Sequence, residues 1–331
     1  MDFSASINPL GPPRSAIDAI QRGLQALSAY PDPDSSQLRL ALSSWHSIPP
    51  EWILPGNGAA ELLTWAGWEL SQQGVTYLPT PAFSDYGRAL RAFGAEVQDC
   101  PLSISNPSII TLPSLLLNAP DSQKGLLLNN PHNPTGTLWT VEEILPYLET
   151  FDLVVVDEAF MDFLAPGEQE SLIPLVQDYT NLVIVRSLTK FYSLPGLRLG
   201  YAISHPDRLQ QWQKLRDPWS VNVLAALAGE AIISDTTFQQ QTWDWLKPTR
   251  SKLFTGLASL KGLQPLESVA NFLLVKTAIS STQLQETLLK QHQILIRDCL
   301  SFPELGNSYF RVAVRSETEN QRLLEGLASI L

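Results

Sequence analysis

Two short runs, Leu153-Val-Val-Val156 and Leu182-Val-Ile-Val185, contain only apolar side chains, and each ends on charged or polar residues. Asp157-Glu158 follows the first and Arg186-Ser187 the second. Runs this short and this continuously apolar suit strands buried on both faces, as in a parallel or mixed sheet covered by helices. Val75-Thr-Tyr-Leu78 and Gly125 to Leu128 read as further strands of the same kind. Functional groups in such folds gather at the carboxyl ends of the strands. Asn133, Asp157 and Lys190 all lie just past predicted strand ends, so one crevice can hold all three.

Helical segments separate these runs. The spacing predicts helices over Ser15–Leu27, Ser36–His46, Ala59–Ser71, Phe83–Phe93 and Val141–Leu148, with another strand starting at Glu96-Val97. Pro12 and Pro13 end an extended arm ahead of the first helix. From about Gln239 the pattern changes to a long helix reaching about Leu260. Asn271–Val275 then reads as a strand, Ser281–His292 as a helix, Ile294–Arg297 and Tyr309–Val314 as strands, and a terminal helix follows. The expected fold class is α/β, with a large, mostly parallel sheet sandwiched by helices and a smaller α+β domain. Residues 1–30 would form an arm and helix serving the small domain, 31–238 the large domain, and 239–331 the small one.

The net charge of −11 argues against a nucleic-acid partner. Cys100 and Cys299 are far apart and have no metal-ligand spacing, which suits two reduced thiols in a cytoplasmic protein and no metal. The amino terminus has neither a basic region nor an apolar core, so no signal peptide is expected. The weakly polar stretch Val221–Ile233 is too short to span a bilayer, and no membrane association is expected.

Chemistry concentrates in Ser187-Leu-Thr-Lys-Phe-Tyr-Ser-Leu-Pro-Gly-Leu-Arg-Leu-Gly200. A lysine among apolar neighbours can lose its proton and act as an amine nucleophile. Hydroxyls at Ser187 and Thr189 with the Arg198 guanidinium suit a phosphate. Together they fit pyridoxal 5'-phosphate, held through a lysine Schiff base. Two rival readings fail on companion motifs. Ser187-x-x-Lys190 matches a serine–lysine nucleophile pattern, but the chain contains neither Ser-Asp-Asn nor Lys-Thr-Gly. Val154-Val-Val-Asp-Glu158 resembles the acidic strand of a nucleotide hydrolase, yet Gly-Lys occurs nowhere.

Asp157 would then pair with the cofactor ring nitrogen and keep it protonated. Asn133 sits in a stiff loop, Asn130-Pro-His-Asn-Pro-Thr-Gly136, whose Asn133–Pro134 bond is a candidate cis peptide. Gly56-Asn-Gly58 ahead of the helix at Ala59 would offer backbone amides to a phosphate. Phe83 could stack on the cofactor ring.

Gly56-Asn-Gly58, Asn133-Pro-Thr-Gly136, Asp157-Glu-Ala159 and Ser187-x-x-Lys190 with Arg198 and Gly200 occur in this order in the aspartate-aminotransferase-like, fold-type I pyridoxal enzymes, which this chain resembles from Asp2 to about Val314. It is more similar to the branch holding histidinol-phosphate aminotransferase and threonine-phosphate decarboxylase. Asp2-Phe-Ser-Ala-Ser-Ile-Asn-Pro-Leu-Gly-Pro-Pro13, Trp52–Gly58, Asp157–Phe163 and Leu188–Tyr192 look more like the decarboxylase.

The resemblance implies roles. Lys190 forms the Schiff base and moves protons, Asp157 holds the ring nitrogen, and Asn133 holds the ring oxygen. Ser187, Thr189, Arg198 and the amides of Gly58 and Ala59 bind the cofactor phosphate. Tyr30 reaches that phosphate from a neighbouring subunit, implying a homodimer. Arg311 holds the substrate carboxylate through a bidentate pair, and Arg297, helped by Asn8, holds a substrate phosphate. The implied substrate is a small phosphorylated amino acid or amine. The implied reaction is decarboxylation of O-phospho-L-threonine for cobalamin synthesis, with transamination of histidinol phosphate or a related compound as the alternative. A pyridoxal-binding regulatory module usually carries an attached DNA-binding domain, for which this length and acidity leave no room. Two departures stand out: Phe160 where aminotransferases of this branch usually carry tyrosine, and no histidine- and glycine-containing lead before Asp2.

Overall fold

The computed structural model describes residues 1–104, 110–113 and 123–331. Its larger sheet has seven strands: β1 (Ile53–Asn57), β2 (Val75–Thr80), β3 (Val97–Pro101), β4 (Lys124–Asn129), β5 (Leu153–Asp157), β6 (Leu182–Ser187) and β7 (Leu199–Ser204). The spatial order is β1-β7-β6-β5-β4-β2-β3, and all neighbours are parallel except those of β7, which is antiparallel to β1 and β6. The side chains of β4, β5 and β6 divide by the two-residue period of a strand. Leu126, Leu128, Val154, Val156 and Ile184 enter one apolar core, while Leu127, Val155, Val183 and Val185 enter the other. That division is why the runs are apolar throughout: neither face meets water.

Helices α1 (Arg14–Gly23), α2 (Ser36–His46), α3 (Ala59–Leu70), α4 (Ser84–Arg91), α5 (Val141–Thr150), α6 (Pro206–Leu215) and α7 (Val223–Ile233) surround this sheet. Leu62, Leu63, Ala66 and Leu70 of α3, Tyr86 and Leu90 of α4, and Trp212 of α6 cover one face. Leu38 and Leu42 of α2, Ile144 and Leu148 of α5, and Ala225 and Ile232 of α7 cover the other. Several ends are chemically specified. Thr140 accepts from the Glu143 amide at 3.2 Å while the Glu143 carboxylate accepts from the Thr140 amide at 2.7 Å, a reciprocal cap on α5. The Val221–Ile233 stretch becomes α7, started by Asn222, whose side chain accepts from the Ala225 amide at 2.9 Å.

The long helix α8 (Thr236–Ala258) leads to a four-stranded antiparallel sheet, ordered β10-β11-β9-β8. It comprises β8 (Leu263–Pro265), β9 (Phe272–Thr277), β10 (Arg297–Asp298) and β11 (Tyr309–Ala313), accompanied by α9 (Ser281–His292) and α10 (Glu317–Ile330). The amino-terminal arm joins this sheet, with the Phe3 amide donating to the Leu295 carbonyl at 2.7 Å and the Ala313 amide to the Phe3 carbonyl at 2.9 Å. Helix α1 does not follow the arm: it lies against α7, and Ser15 bonds Asp235 at 2.5 Å.

Two expectations need correction. Ile294–Arg297 is not a continuous strand of the sheet: Leu295 bridges Asp2 of the arm, and only Arg297–Asp298 pairs with β11. Among the described residues the cis peptides are Thr80–Pro81 and Asn130–Pro131, not Asn133–Pro134. Among the described residues no helix is long and apolar enough to cross a membrane.

Candidate active site

The register brings the carboxyl ends of β4, β5 and β6 level. Asn129 lies opposite Asp157, and Asp157 opposite Val185, two residues before Ser187. Asn129 ties two loops together. Its Nδ2 donates to the Asp157 carbonyl at 2.7 Å, and its Oδ1 accepts from the Asn133 amide at 2.7 Å. Behind the ends of β5 and β6, Arg186 donates to Glu158 Oε2 at 2.9 Å, to Asp162 Oδ1, and to Ser171 Oγ at 3.1 Å. All three charged groups are buried, so the strands that carry Asp157 and Ser187 are clamped by ion pairs rather than only by packing.

A cleft of about 510 Å³ opens at these strand ends, lined by Asp157, Ser187, Thr189, Lys190, Arg198, Ala59 and Phe83, together with Ile7, Ala60, Leu63, Ser84, Asp85 and Arg88. Lys190 Nζ stands 4.8 Å from the Phe160 ring centroid, a cation–π contact on a buried phenyl face. Burial pushes the Lys190 pKa down, the Asp157 carboxylate opposes that shift, and the positive charges of Arg311 and Arg198 add to it. An amine so placed gives up its proton more readily than a surface lysine, as a nucleophile must. Burial pushes the Asp157 carboxyl up, against the Lys190 charge and hydrogen bonds from Tyr86 and the Ala159 amide.

The phosphate-like end is made of backbone and hydroxyls. Helix α3 begins at Ala59 with Gly58 as its cap residue and no side-chain cap. The Gly58 amide donates to the Gly56 carbonyl at 2.7 Å and the Glu61 amide to the Gly58 carbonyl at 3.3 Å, which leaves the Ala59 and Ala60 amides to meet an anion. Gly58 has φ +77°, and a Cβ there would fall 2.5 Å from Arg198 Nη2; only glycine lets that guanidinium lie against the helix start. Ser187 Oγ and Thr189 Oγ1 are 2.8 Å apart on the other side.

Arg311, on β11, contacts Asn133 Oδ1 through Nη1, donates to the Ser4 carbonyl at 3.3 Å, and lies 5.0 Å over the Phe272 ring. Burial lowers its pKa to about 10, so it keeps its charge at neutral pH. Arg297 is exposed and stands opposite Arg311 in the β10–β11 register. The remaining expected residues sit elsewhere. Asn8 is buried, and its Nδ2 is spent on the Phe191 carbonyl at 2.8 Å and Thr242 Oγ1 at 2.9 Å, while its amide donates to the Lys190 carbonyl at 3.1 Å. It braces the lysine turn and has no side-chain donor left for a substrate. Tyr30 is 79% exposed, stacked on Trp219 at 4.5 Å, and outside the cleft lining.

These parts amount to a lysine amine, a carboxylate and a phosphate-sized cradle with Arg198 around one cleft, with Arg311 near enough for its charge to act on Lys190. A family model described as aminotransferase class I and II matches residues 1–327. The chain belongs to the class I and II aminotransferase family. It is 38% identical to a threonine-phosphate decarboxylase of Salmonella typhimurium, over 100% of this chain and 91% of that protein. It is also 33% identical to a histidinol-phosphate aminotransferase of Symbiobacterium thermophilum, over 98% and 88% of the two chains. The crystal structure of the histidinol-phosphate aminotransferase from Clostridium acetobutylicum superposes with a TM-score of 0.92 at 27% identity, covering 100% of this chain and 98% of that one. The helix-covered sheet expected from the strand runs, and the aspartate-aminotransferase-like architecture implied by the motif resemblance, are therefore the fold of this aminotransferase-family chain.

Sequence reasoning overlooked Tyr86, Asn129, Asp85 and Arg88 at this site. Phe83 and Tyr86 are three apart at the start of α4, a spacing that puts both on one helix face. That signal was available, but a tyrosine on an amphipathic helix reads first as core.

Proposed function

We propose that this protein is a pyridoxal-phosphate-dependent lyase that decarboxylates O-phospho-L-threonine to aminopropanol phosphate, a reaction of cobalamin biosynthesis. The observation that carries the reading is the register that sets Arg297 opposite Arg311, whose charge acts on Lys190. Two adjacent guanidiniums suit a substrate with two acidic groups, here a carboxylate and a phosphate. The 38% identity to a threonine-phosphate decarboxylase over the whole chain supports the same substrate.

The donor set fits the cofactor. When bound, pyridoxal phosphate supplies an electron-withdrawing ring that stabilises charge at the substrate α-carbon. Asp157 keeps the ring nitrogen's proton in place by offering a negative charge in a poorly solvated site. Lys190 provides the amine for covalent attachment and carries protons to and from the α-carbon. Asn133 Nδ2, which makes no hydrogen bond among the described residues, is the donor for the ring oxygen. Phe83 covers the ring. The Ala59 amide, Ser187, Thr189 and Arg198 hold the phosphate; the Gly58 amide, expected to join them, already donates to the Gly56 carbonyl at 2.7 Å. Arg311, steadied by Asn133, takes the substrate carboxylate, and Arg297 the substrate phosphate.

The reading includes a cytoplasmic homodimer in which Tyr30 reaches the neighbouring subunit's cofactor phosphate. Its support is a set of exposed apolar side chains: Tyr30 stacked on Trp219, with Leu24 and Leu27 a few residues before Tyr30 in the chain. Patches of this kind mark protein–protein contacts.

The deciding experiment supplies O-phospho-L-threonine to the pyridoxal-loaded protein and follows carbon dioxide and glutamate. Carbon dioxide release without any keto acid is expected; no turnover of this substrate sinks the proposal. The second reading, a histidinol-phosphate aminotransferase, is favoured by the 33% identity noted above. It would show instead as keto-acid-dependent turnover of histidinol phosphate.

A further inference from the structure

Tyr86 lies at the inner face of α4, 2% exposed, with its ring among the apolar side chains of α3 and the large sheet. Its hydroxyl donates to Asp157 Oδ2 at 2.8 Å, while the Ala159 amide donates to Asp157 Oδ1 at 2.9 Å. Each carboxylate oxygen therefore has one protein donor, and the two donors come from different elements. One comes from the residue's own loop, the other from a helix on the far side of the cleft. Helix α4 is held at this depth by a close approach to α3. A Cβ on Gly67 would fall 2.6 Å from the Ala89 carbonyl oxygen, so only a glycine in α3 admits α4 this near. The Tyr86 ring also meets Phe83 edge-on, with centroids 5.6 Å apart and an interplanar angle of 88°.

We propose that Tyr86 is a positioning residue that fixes the direction and ionisation of the Asp157 carboxylate and couples it to Phe83 at the opposite wall of the cleft. A carboxylate buried here loses hydration, which favours its neutral form. A hydroxyl donating to its oxygen favours the charged form. The titratable groups facing Asp157 are Lys190 from the turn after β6 and Tyr86 and Asp85 from α4. Lys190 favours the ionised carboxylate and Asp85 disfavours it. In the proposed chemistry Lys190 spends its charge and its amine on the cofactor, whereas Tyr86 keeps its bond throughout. Tyr86 is thus the donor that does not change hands.

This inference rests on the proposed pyridoxal site in one arm of its test only. In the cofactor-free, full-length protein labelled with ¹³C at aspartate carboxyls, Asp157 should titrate at higher pH in Tyr86→Phe than in the parent. An unchanged titration overturns the proposal. If Tyr86→Phe does not fold, replacing Tyr86 with 3-fluorotyrosine strengthens the donor and should move the titration the other way; no movement again overturns it.

In the second arm, the dissociation constant of pyridoxal phosphate is followed by absorbance. Tyr86→Phe should weaken binding about tenfold, the loss of one hydrogen bond to a charged group. In an Asp157→Asn background the same change should have little further effect, because the charged acceptor has gone. Equal effects in both backgrounds would show that Tyr86 does not act through Asp157. A parent protein that takes up no pyridoxal phosphate refutes the cofactor reading, and the carboxyl titration still judges the Tyr86–Asp157 pair.

Discussion

Arg297 and Arg311 stand directly opposite one another across the β10–β11 pair. Opposed residues of antiparallel strands project to the same side of the sheet, so two like charges share one face. Such a pairing repels unless an anion lies nearby, and the Arg297 charge is among the causes that lower the Arg311 pKa. The cost is a reason to read the pair as a substrate clamp rather than as surface charge. Removing the exposed member, Arg297→Ala, should raise KM for the phosphorylated substrate about 10- to 100-fold while changing kcat less, as expected for one lost charge-assisted contact. Steady-state kinetics with phosphorylated and unphosphorylated substrate separates the two effects. Equal loss for both substrates would remove Arg297 from phosphate recognition.

The ion cluster behind the cleft leads to a stability prediction. Arg186 is shared by Glu158 and Asp162, and all three are buried. Arg186→Met would leave two carboxylates without their cation, at a cost of about 3–5 kcal/mol for a broken buried pair. A urea unfolding curve should show the loss in full. A change below about 1 kcal/mol would mean that packing, not charge, holds β5 to β6.

The strands ending in Asp157 and Ser187 were legible in the sequence because two-sided burial leaves no polar position inside them. The same logic could not reveal β7: Leu199-Gly-Tyr-Ala-Ile-Ser204 starts directly after the loop that holds Arg198, so it reads as the tail of the motif. Nor could it give the Arg297–Arg311 pairing, which depends on the register between segments a dozen residues apart. The Ile294–Arg297 run looked like one strand, yet the arm captures Leu295 first. Asparagine, proline and glycine announce a turn at Asn130–Gly136, but composition does not say which proline bond is cis. Asn8 fell in the motif order of a substrate group, whereas its amide is consumed in holding the Lys190 turn. Local chemistry was readable; pairings set by tertiary contact were not.

Gly58 tests the phosphate cradle. Its backbone, φ +77° and ψ 164°, lies in a region that is nearly confined to glycine and costs other residues about 1–3 kcal/mol. Gly58→Ala adds a methyl carbon 2.5 Å from Arg198 Nη2, so the guanidinium must move. The expected result is both a lower unfolding free energy and about tenfold weaker binding of pyridoxal phosphate, measured by absorbance titration. Gly196→Ala is the control, since a Cβ there meets nothing within 4 Å. If the two variants bind the cofactor equally well, the phosphate does not sit against Gly58.

Two histidines set an acid limit on stability. Burial lowers the pKa of His46 to about 3, aided by the nearby Arg186 charge. Burial likewise lowers that of His132 to about 3, despite a hydrogen bond to the Pro81 carbonyl. Both are below the ordinary value of 6.5, so the unfolded chain binds protons that the folded chain refuses. Their contribution is complete above pH 6.5 and is lost as pH falls toward 3, by about 1.4 kcal/mol per pH unit for each histidine. The His132 ring also lies 2.8 Å from Thr135 Oγ1, within the loop that carries Asn133. His132→Gln removes one titrating ring, so its unfolding free energy should fall less steeply between pH 6 and pH 4 than the parent's, by about 1.4 kcal/mol per pH unit. Denaturant curves at several pH values measure that slope without depending on the absolute stability of either protein. Parallel slopes would mean that His132 takes up its proton in the folded state, and the loop around Asn133 would then carry a charge at mildly acid pH.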